Sequence, residues 1–246
     1  MTRRVWITGA SQGIGAALVR RMRERGDQVI GSARTADRLE ELADATGMIP
    51  WQLDVTDQEA AGASVAGIEE EIGPIDLAIL NAGTHRPVGA EDFRTDELRA
   101  LVELNLFGTA HCLEALIPRM TARKAGHIAV VGSLAAYRGL PTAAYYGASK
   151  AALTNMTEAL KFDLDRHGVR LQLVQPGFVR TPLTDRNEFA MPFLVEPEEA
   201  AAAIMRGLHR SSFEIAFPRT FVAIMKLMRV MPYRLYFPLV ARSTRA

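Results

Sequence analysis

The sequence predicts an α/β fold: a doubly wound parallel sheet of about seven strands, helices on both faces, and a C-terminal helical extension. Two observations predict it. Short apolar runs alternate with segments of helical period along the chain, the pattern that crossover-linked parallel strands impose. A glycine-rich turn, Gly9-Ala10-Ser11-Gln12-Gly13-Ile14-Gly15, joins the first strand to the first helix. With 246 residues and 48% hydrophobic composition, the chain can bury one sizeable core. No Pro/Gly/Ser-rich linker or internal repeat divides it, so one domain is expected over 1–246, with 218–246 as the extension.

The elements follow in order. Arg4-Val5-Trp6-Ile7-Thr8 reads as a strand running into the glycines, and Ala17, Leu18, Arg21 and Met22 have the spacing of a helix over 13–25. Further strands are expected near 28–32, 49–53, 75–80, 127–132, 169–174 and 213–217. Helices are expected near 35–45, 57–72, 95–123, 145–167 and 196–209. Gly73-Pro74 marks a turn, and Pro197-Glu198-Glu199 an acidic helix start.

Composition narrows the function classes. A net charge of +1 and a pI near 7.9 give no basic field for nucleic acid. The single cysteine, Cys112, excludes an intrachain disulfide and fits a reducing, cytoplasmic setting; it falls in the helical stretch 101–120 and reads as a small buried side chain. Met1-Thr2-Arg3-Arg4 leads directly into the first strand, so no secretion signal is expected. No eighteen consecutive apolar residues occur, so no spanning helix is expected either. The five histidines show neither metal-ligand spacing nor a place in the scheme below, and no metal is expected.

Between a strand end and a helix N-terminus, glycines let the backbone approach a pyrophosphate while free N–H groups and the helix dipole favour its charge. The spacing here is Gly-x-x-x-Gly-x-Gly, without the Gly-Lys-Ser/Thr ending of nucleotide-hydrolase loops. The plainer alternative is an ordinary strand-turn-helix corner. Farther along, Tyr146 and Lys150 stand four residues apart on an expected helix, behind Ser133 and the apolar run ending Val130-Val131-Gly132. Positions i and i+4 share a face, so the ammonium can sit beside the phenol and lower its pKa from about 10.

In order, Thr8-Gly9-Ala10-Ser11-Gln12-Gly13-Ile14-Gly15, Asp54-Val55, Asn81-Ala82-Gly83, Asn105, Ser133, Tyr146-x-x-x-Lys150 and Pro176-Gly177-Phe178-Val179-Arg180-Thr181 make the chain resemble the short-chain dehydrogenase/reductase family, in its single-domain branch, over nearly its whole length. The resemblance implies a Rossmann-type sheet with the first strand near the middle, a nicotinamide dinucleotide across the strand carboxyl ends, and a homodimer or homotetramer. It assigns cofactor contacts to Gly9, Ser11, Gln12, Gly13, Ile14 and Gly15 in the turn, to Asp54 and Val55 around the adenine, and to Asn81, Ala82 and Gly83 beside its ribose. Pro176, Gly177, Val179 and Thr181 fall at the nicotinamide. For Asp54, a local turn or cap before the helix near Asp57 is the competing role.

The implied chemistry is reduction of a carbonyl, or oxidation of the corresponding alcohol, by hydride transfer. Tyr146 protonates the carbonyl oxygen, and Ser133 donates it a second hydrogen bond. Lys150 tunes Tyr146 and holds the nicotinamide ribose. Asn105 supports a proton-supplying water chain, or else satisfies helix backbone. A cofactor sensor without turnover, or a peripheral membrane protein of the same fold, is the alternative class.

Cofactor preference is read from Gln28-Val29-Ile30-Gly31-Ser32-Ala33-Arg34. An NAD site needs a carboxylate about twenty residues past the glycines; here Ala33 is followed by Arg34. A guanidinium grips a 2′-phosphate with charge-assisted hydrogen bonds, and Ser32 would add a hydroxyl donor, so NADP(H) is expected over NAD(H). Arg34 as a solvated surface side chain is the alternative. Gln12 stands where many NADP-using relatives carry a basic residue.

The segment from Leu183 to Val195 resembles the family's lid, in which Met191, Phe193 and Leu194 would line the substrate site with apolar surface and favour a hydrophobic ketone or aldehyde. Packing on the core is the other reading. From Phe217 to Ala246 there are six basic residues and no acidic one, among many apolar residues. Such a tail, over 219–240, can lie in a membrane interface, wall the pocket, or contact another subunit.

Overall fold

The computed structural model describes residues 2–184 and 191–243. All seven strands pair in parallel: β1 (Arg4–Thr8), β2 (Gln28–Ala33), β3 (Ile49–Gln52), β4 (Leu77–Leu80), β5 (His127–Val131), β6 (Arg170–Pro176) and β7 (Glu214–Phe217). Their order is β3-β2-β1-β4-β5-β6-β7. The chain winds outward from β1 in one direction through β2 and β3, then returns to continue from β4 in the other. That reversal leaves a crevice beyond the carboxyl ends of β1 and β4, where Thr8 and Leu80 lie level in register.

Strand alternation distributes the core between two layers. Val5, Ile7, Val29, Leu77 and Ile79 face α1 (Gly13–Glu24), α2 (Ala36–Thr46) and α7 (Pro197–Leu208). Trp6, Ile30, Ala78, Leu80, Ile128 and Val130 face α3 (Gln58–Glu71), α5 (Gly108–Ala122) and α6 (Ala144–Arg166). Both layers are buried, as a parallel sheet covered on both faces requires.

The single helix expected over 95–123 is three pieces: α4 (Thr95–Val102), a π-helical turn Glu103–Phe107, and α5. The widened turn carries Asn105, fully buried. By length and composition alone, the run Thr95–Ala122 could cross a membrane. Here its Cys112, Leu113, Leu116 and Met120 belong to the second core layer instead. The extension forms two helices, α8 (Arg219–Val230) and α9 (Tyr233–Ser243). Pro232 separates them, since a proline cannot donate the backbone hydrogen bond that continuity requires.

Candidate active site

The glycine turn is shaped for close approach. Gly13 has a φ of +55°, and a Cβ there would stand 2.9 Å from Thr181 Cγ2. At Gly15 a Cβ would meet the Gly9 carbonyl oxygen at 2.1 Å, so no larger residue fits. Gln12 precedes α1 in extended backbone, and its side chain makes no cap hydrogen bond to the helix. The first N–H groups of α1 therefore remain available to an anion. Asn81 fixes the turn from the neighbouring strand end: its Nδ2 donates to the Thr8 and Gly9 carbonyls at 3.2 and 3.1 Å. The Asn81 and Ala82 amides both donate to Thr8 Oγ1, at 3.0 and 3.2 Å.

These residues open into a cavity of about 330 Å³ lined by Gly9, Ser11, Gln12, Gly13, Ile14, Ala33, Arg34, Asp54, Val55, Asn81, Ala82, Gly83 and Thr181. Gly15 lies just behind, as the packing glycine. Asp54 lines the cavity, and its Oδ1 also accepts from the Thr56 amide and hydroxyl at 3.0 and 2.8 Å. The helix cap itself is Asp57, which accepts from the Ala60 amide.

At the far end of β2 the structure corrects one expectation and supplies another residue. Ser32 does not face the cavity: it is buried, and its hydroxyl accepts from Trp6 Nε1 at 2.9 Å. Strand alternation turns it to the opposite face from Ala33. Arg34 is exposed and lines the cavity. Arg38, one turn into α2, also lines the cavity and donates to Gln12 Oε1 at 3.0 Å. A guanidinium thus reaches the place where the sequence offers only Gln12.

A second cleft of about 100 Å³ continues from the first. Ile14, Asn81, Gly83, Ser133, Tyr146, Lys150, Pro176, Gly177, Val179 and Thr181 line it. Thr181 borders both spaces. Ser133 is set by Gln175, which sequence reasoning missed: its fully buried side chain accepts from the Ser133 amide at 2.6 Å and donates to Thr154 Oγ1 at 3.1 Å. Asn105 is similarly fixed, accepting from the Thr84 amide at 2.7 Å and donating to the Thr84 carbonyl and Ser149 Oγ at 2.9 and 3.1 Å. Its amide braces the loop after β4 against α6.

The electrostatics differ from the sequence expectation. Lys150 does lie near Tyr146, but its Nζ donates to the Val131 carbonyl at 2.8 Å and stands 5.9 Å from the Tyr146 ring centre. Burial lowers the Lys150 pKa to about 8. Burial raises the Tyr146 phenol above its ordinary value, opposed by the hydrogen bond from Ser133. Desolvation disfavours the phenolate, and a lysine directed at a carbonyl does not offset it. A histidine also has a place here after all: buried His85, on the loop after β4, meets Tyr146 edge to face with 4.8 Å between ring centres.

None of Met191, Phe193 or Leu194 lines the second cleft. Phe193 stacks on Phe221 of α8 with 5.9 Å between ring centres, and Phe221 stacks on Phe178 at 5.4 Å. The described end of this segment therefore packs against the C-terminal extension; residues 185–190 lie outside the described residues. Phe221 and Met225 form a buried cluster with Leu134 and Tyr137. The inner face of the tail thus packs on the core beside Leu134 and Phe178, and none of its residues lines either cavity.

A reversed-order parallel sheet, a side-chain-free glycine cradle and a Ser/Tyr/Lys cleft opening from it together define a dinucleotide-binding α/β oxidoreductase. The short chain dehydrogenase model matches residues 3–190. An uncharacterized oxidoreductase of Myxococcus xanthus is 36% identical over 244 residues, covering 97% of this chain and 96% of that one. The chain belongs to the short-chain dehydrogenase family, whose members bind a nicotinamide cofactor. Among solved structures, a short-chain dehydrogenase from Streptomyces avermitilis superposes with a TM-score of 0.86 at 26% identity, covering 100% of this chain and 98% of that one. A short chain dehydrogenase from Burkholderia cenocepacia, solved with NADP, does so with 0.84 at 29% identity, covering 98% and 97%.

Proposed function

We propose that this protein is an NADP(H)-dependent oxidoreductase that interconverts a hydrophobic ketone or aldehyde and its alcohol, with Tyr146 as general acid/base. The observation that carries the proposal is the convergence of Ser133, Tyr146 and Lys150 on a cleft that shares Thr181 with the dinucleotide-sized cavity. Reduced nicotinamide, when bound, supplies the hydride. Tyr146, whose phenol burial holds above its ordinary pKa, gives its proton to the carbonyl oxygen in reduction and takes it back in oxidation. Ser133 donates to the same oxygen as charge builds there, and Gln175 holds its backbone for that purpose. Lys150 orients the nicotinamide ribose, and Asn105 braces the loop that carries Thr84.

Arg34 and Arg38 support the NADP(H) preference, because two guanidiniums and no carboxylate stand at the β2 end of the cavity near Ala33. The Phe178, Phe221 and Phe193 stack beside the cleft supports an apolar substrate. Phe107 and Phe162, 48% and 70% exposed on the long helices, support a homodimer or homotetramer. A cytoplasmic setting completes the proposal, consistent with the lone buried thiol Cys112. The test is a panel of aliphatic, aromatic and polycyclic carbonyls with NADPH and with NADH, followed as nicotinamide absorbance. Turnover with an apolar carbonyl and a higher kcat/KM for NADPH is expected; preference for NADH, or turnover confined to charged or sugar carbonyls, refutes the reading.

A further inference from the structure

The extension has two surfaces, and only the inner one is explained by packing on the core. Inward, α8 buries Phe221 and Met225, and α9 buries Tyr236, whose hydroxyl donates to the Gly139 carbonyl. Arg138 clasps α9 from below, its guanidinium 4.4 Å from the ring centres of both Tyr233 and Tyr236. Outward, α8 presents Leu227 and Val230, 63% and 76% exposed, while α9 presents Leu235 and Phe237 at 62% and 61%. A solvated helix face normally carries mixed charge, whereas every charged residue in these two helices is basic. Lys226 pairs with Glu214, but Arg219, Arg234 and Arg242 have no acidic partner among the described residues.

We propose that the outer face of α8 and α9 docks on an anionic lipid bilayer, its apolar side chains at the acyl boundary and its arginines among the head groups. Charge selects this occupant. A second copy of the chain meeting the patch symmetrically would set arginine against arginine with no acid in either helix to compensate. A surface of lipid phosphates and carboxylates neutralises them all. Lengths of 12 and 11 residues suit helices lying in the interface, since spanning needs about 20. Phe221 is excluded from the contact because it packs inward against Phe178.

The test is co-sedimentation of the full chain with vesicles of phosphatidylcholine, with and without phosphatidylserine, at low and physiological salt. Sedimentation is expected to require phosphatidylserine and to weaken with salt, because exposed charges are screened over about 8 Å. Arg234→Gln with Arg242→Gln should weaken binding about 25-fold, since each cation near an anionic surface is worth about a factor of five. Leu227→Ser with Phe237→Ser, and Leu227→Ser alone, should reduce it while melting temperature and gel-filtration volume stay unchanged. The proposal is overturned if phosphatidylserine brings down no protein at low salt, or if binding survives both double variants. It is equally overturned if the serine variants convert a larger particle to a smaller one without affecting lipid, which assigns the face to a second copy.

Discussion

His85 and Tyr146 meet in a T-shaped pair, with 4.8 Å between ring centres and 68° between ring planes. Edge-to-face pairs of this kind contribute about 0.5–1.5 kcal/mol beyond burial. The contact fixes the ring whose hydroxyl is proposed to deliver the proton. His85→Phe should keep that geometry and near-normal kcat, whereas His85→Ala frees the ring and should lower kcat about tenfold, the cost of roughly 1.4 kcal/mol. Steady-state kinetics on both variants, with NADPH binding followed by fluorescence, checks this. A full loss in His85→Phe would instead make the imidazole itself chemically necessary.

Tyr146→Phe removes the proton and keeps the ring against His85. Turnover should fall by about 10² to 10⁴ with NADPH affinity retained. Near-normal turnover in the purified variant would place the acid elsewhere.

The rim arginines should separate by role. Arg34→Ala with Ala33→Asp is expected to shift preference toward NADH, each factor of ten in the kcat/KM ratio corresponding to about 1.4 kcal/mol. Arg38→Ala alone should weaken NADPH and leave NADH unchanged, because its guanidinium lies beside Gln12 on the phosphate side of the cavity. An equal loss for both cofactors would show that Arg38 only shapes the turn.

Acid should weaken the fold through His127. Burial, with Arg170, Arg3 and His209 nearby, lowers its pKa from an ordinary 6.5 to about 4, against a hydrogen bond with Gln172. Its neutral form is the folded one, so stability is complete above 6.5 and lost as pH falls toward 4. Relative to His127→Gln, the protein should lose up to about 1.4 kcal/mol of unfolding free energy per pH unit in that window. Parallel denaturation curves for the two proteins at each pH would contradict it.

Much of this was readable in the chain. The strands and the glycine turn carry local signals, and their parallel pairing follows from alternation with helices. What the sequence hid were directions. Ser32 sits beside Ala33, yet strand alternation sends it to Trp6 while Ala33 lines the cavity. The i, i+4 spacing correctly brought Lys150 near Tyr146 but could not show its ammonium turned to Val131. Leu227 and Phe221 look alike in composition, and only packing on Phe178 separates the inward from the outward residue. His85 and Gln175 reach the cleft from loop and strand ends, where no periodicity marks them.

The clasp between Arg138 and the two α9 tyrosines has a temporal side. Synthesis runs from the N-terminus, so Ser133, Tyr146 and Lys150 all leave the ribosome before α8 and α9. A nascent chain halted ahead of Arg219 already holds those three residues, while Leu134, Tyr137 and Phe178 still lack the Phe221 and Met225 side chains they pack against. Closure of that apolar cluster thus waits on α8, which follows the whole sheet in the chain.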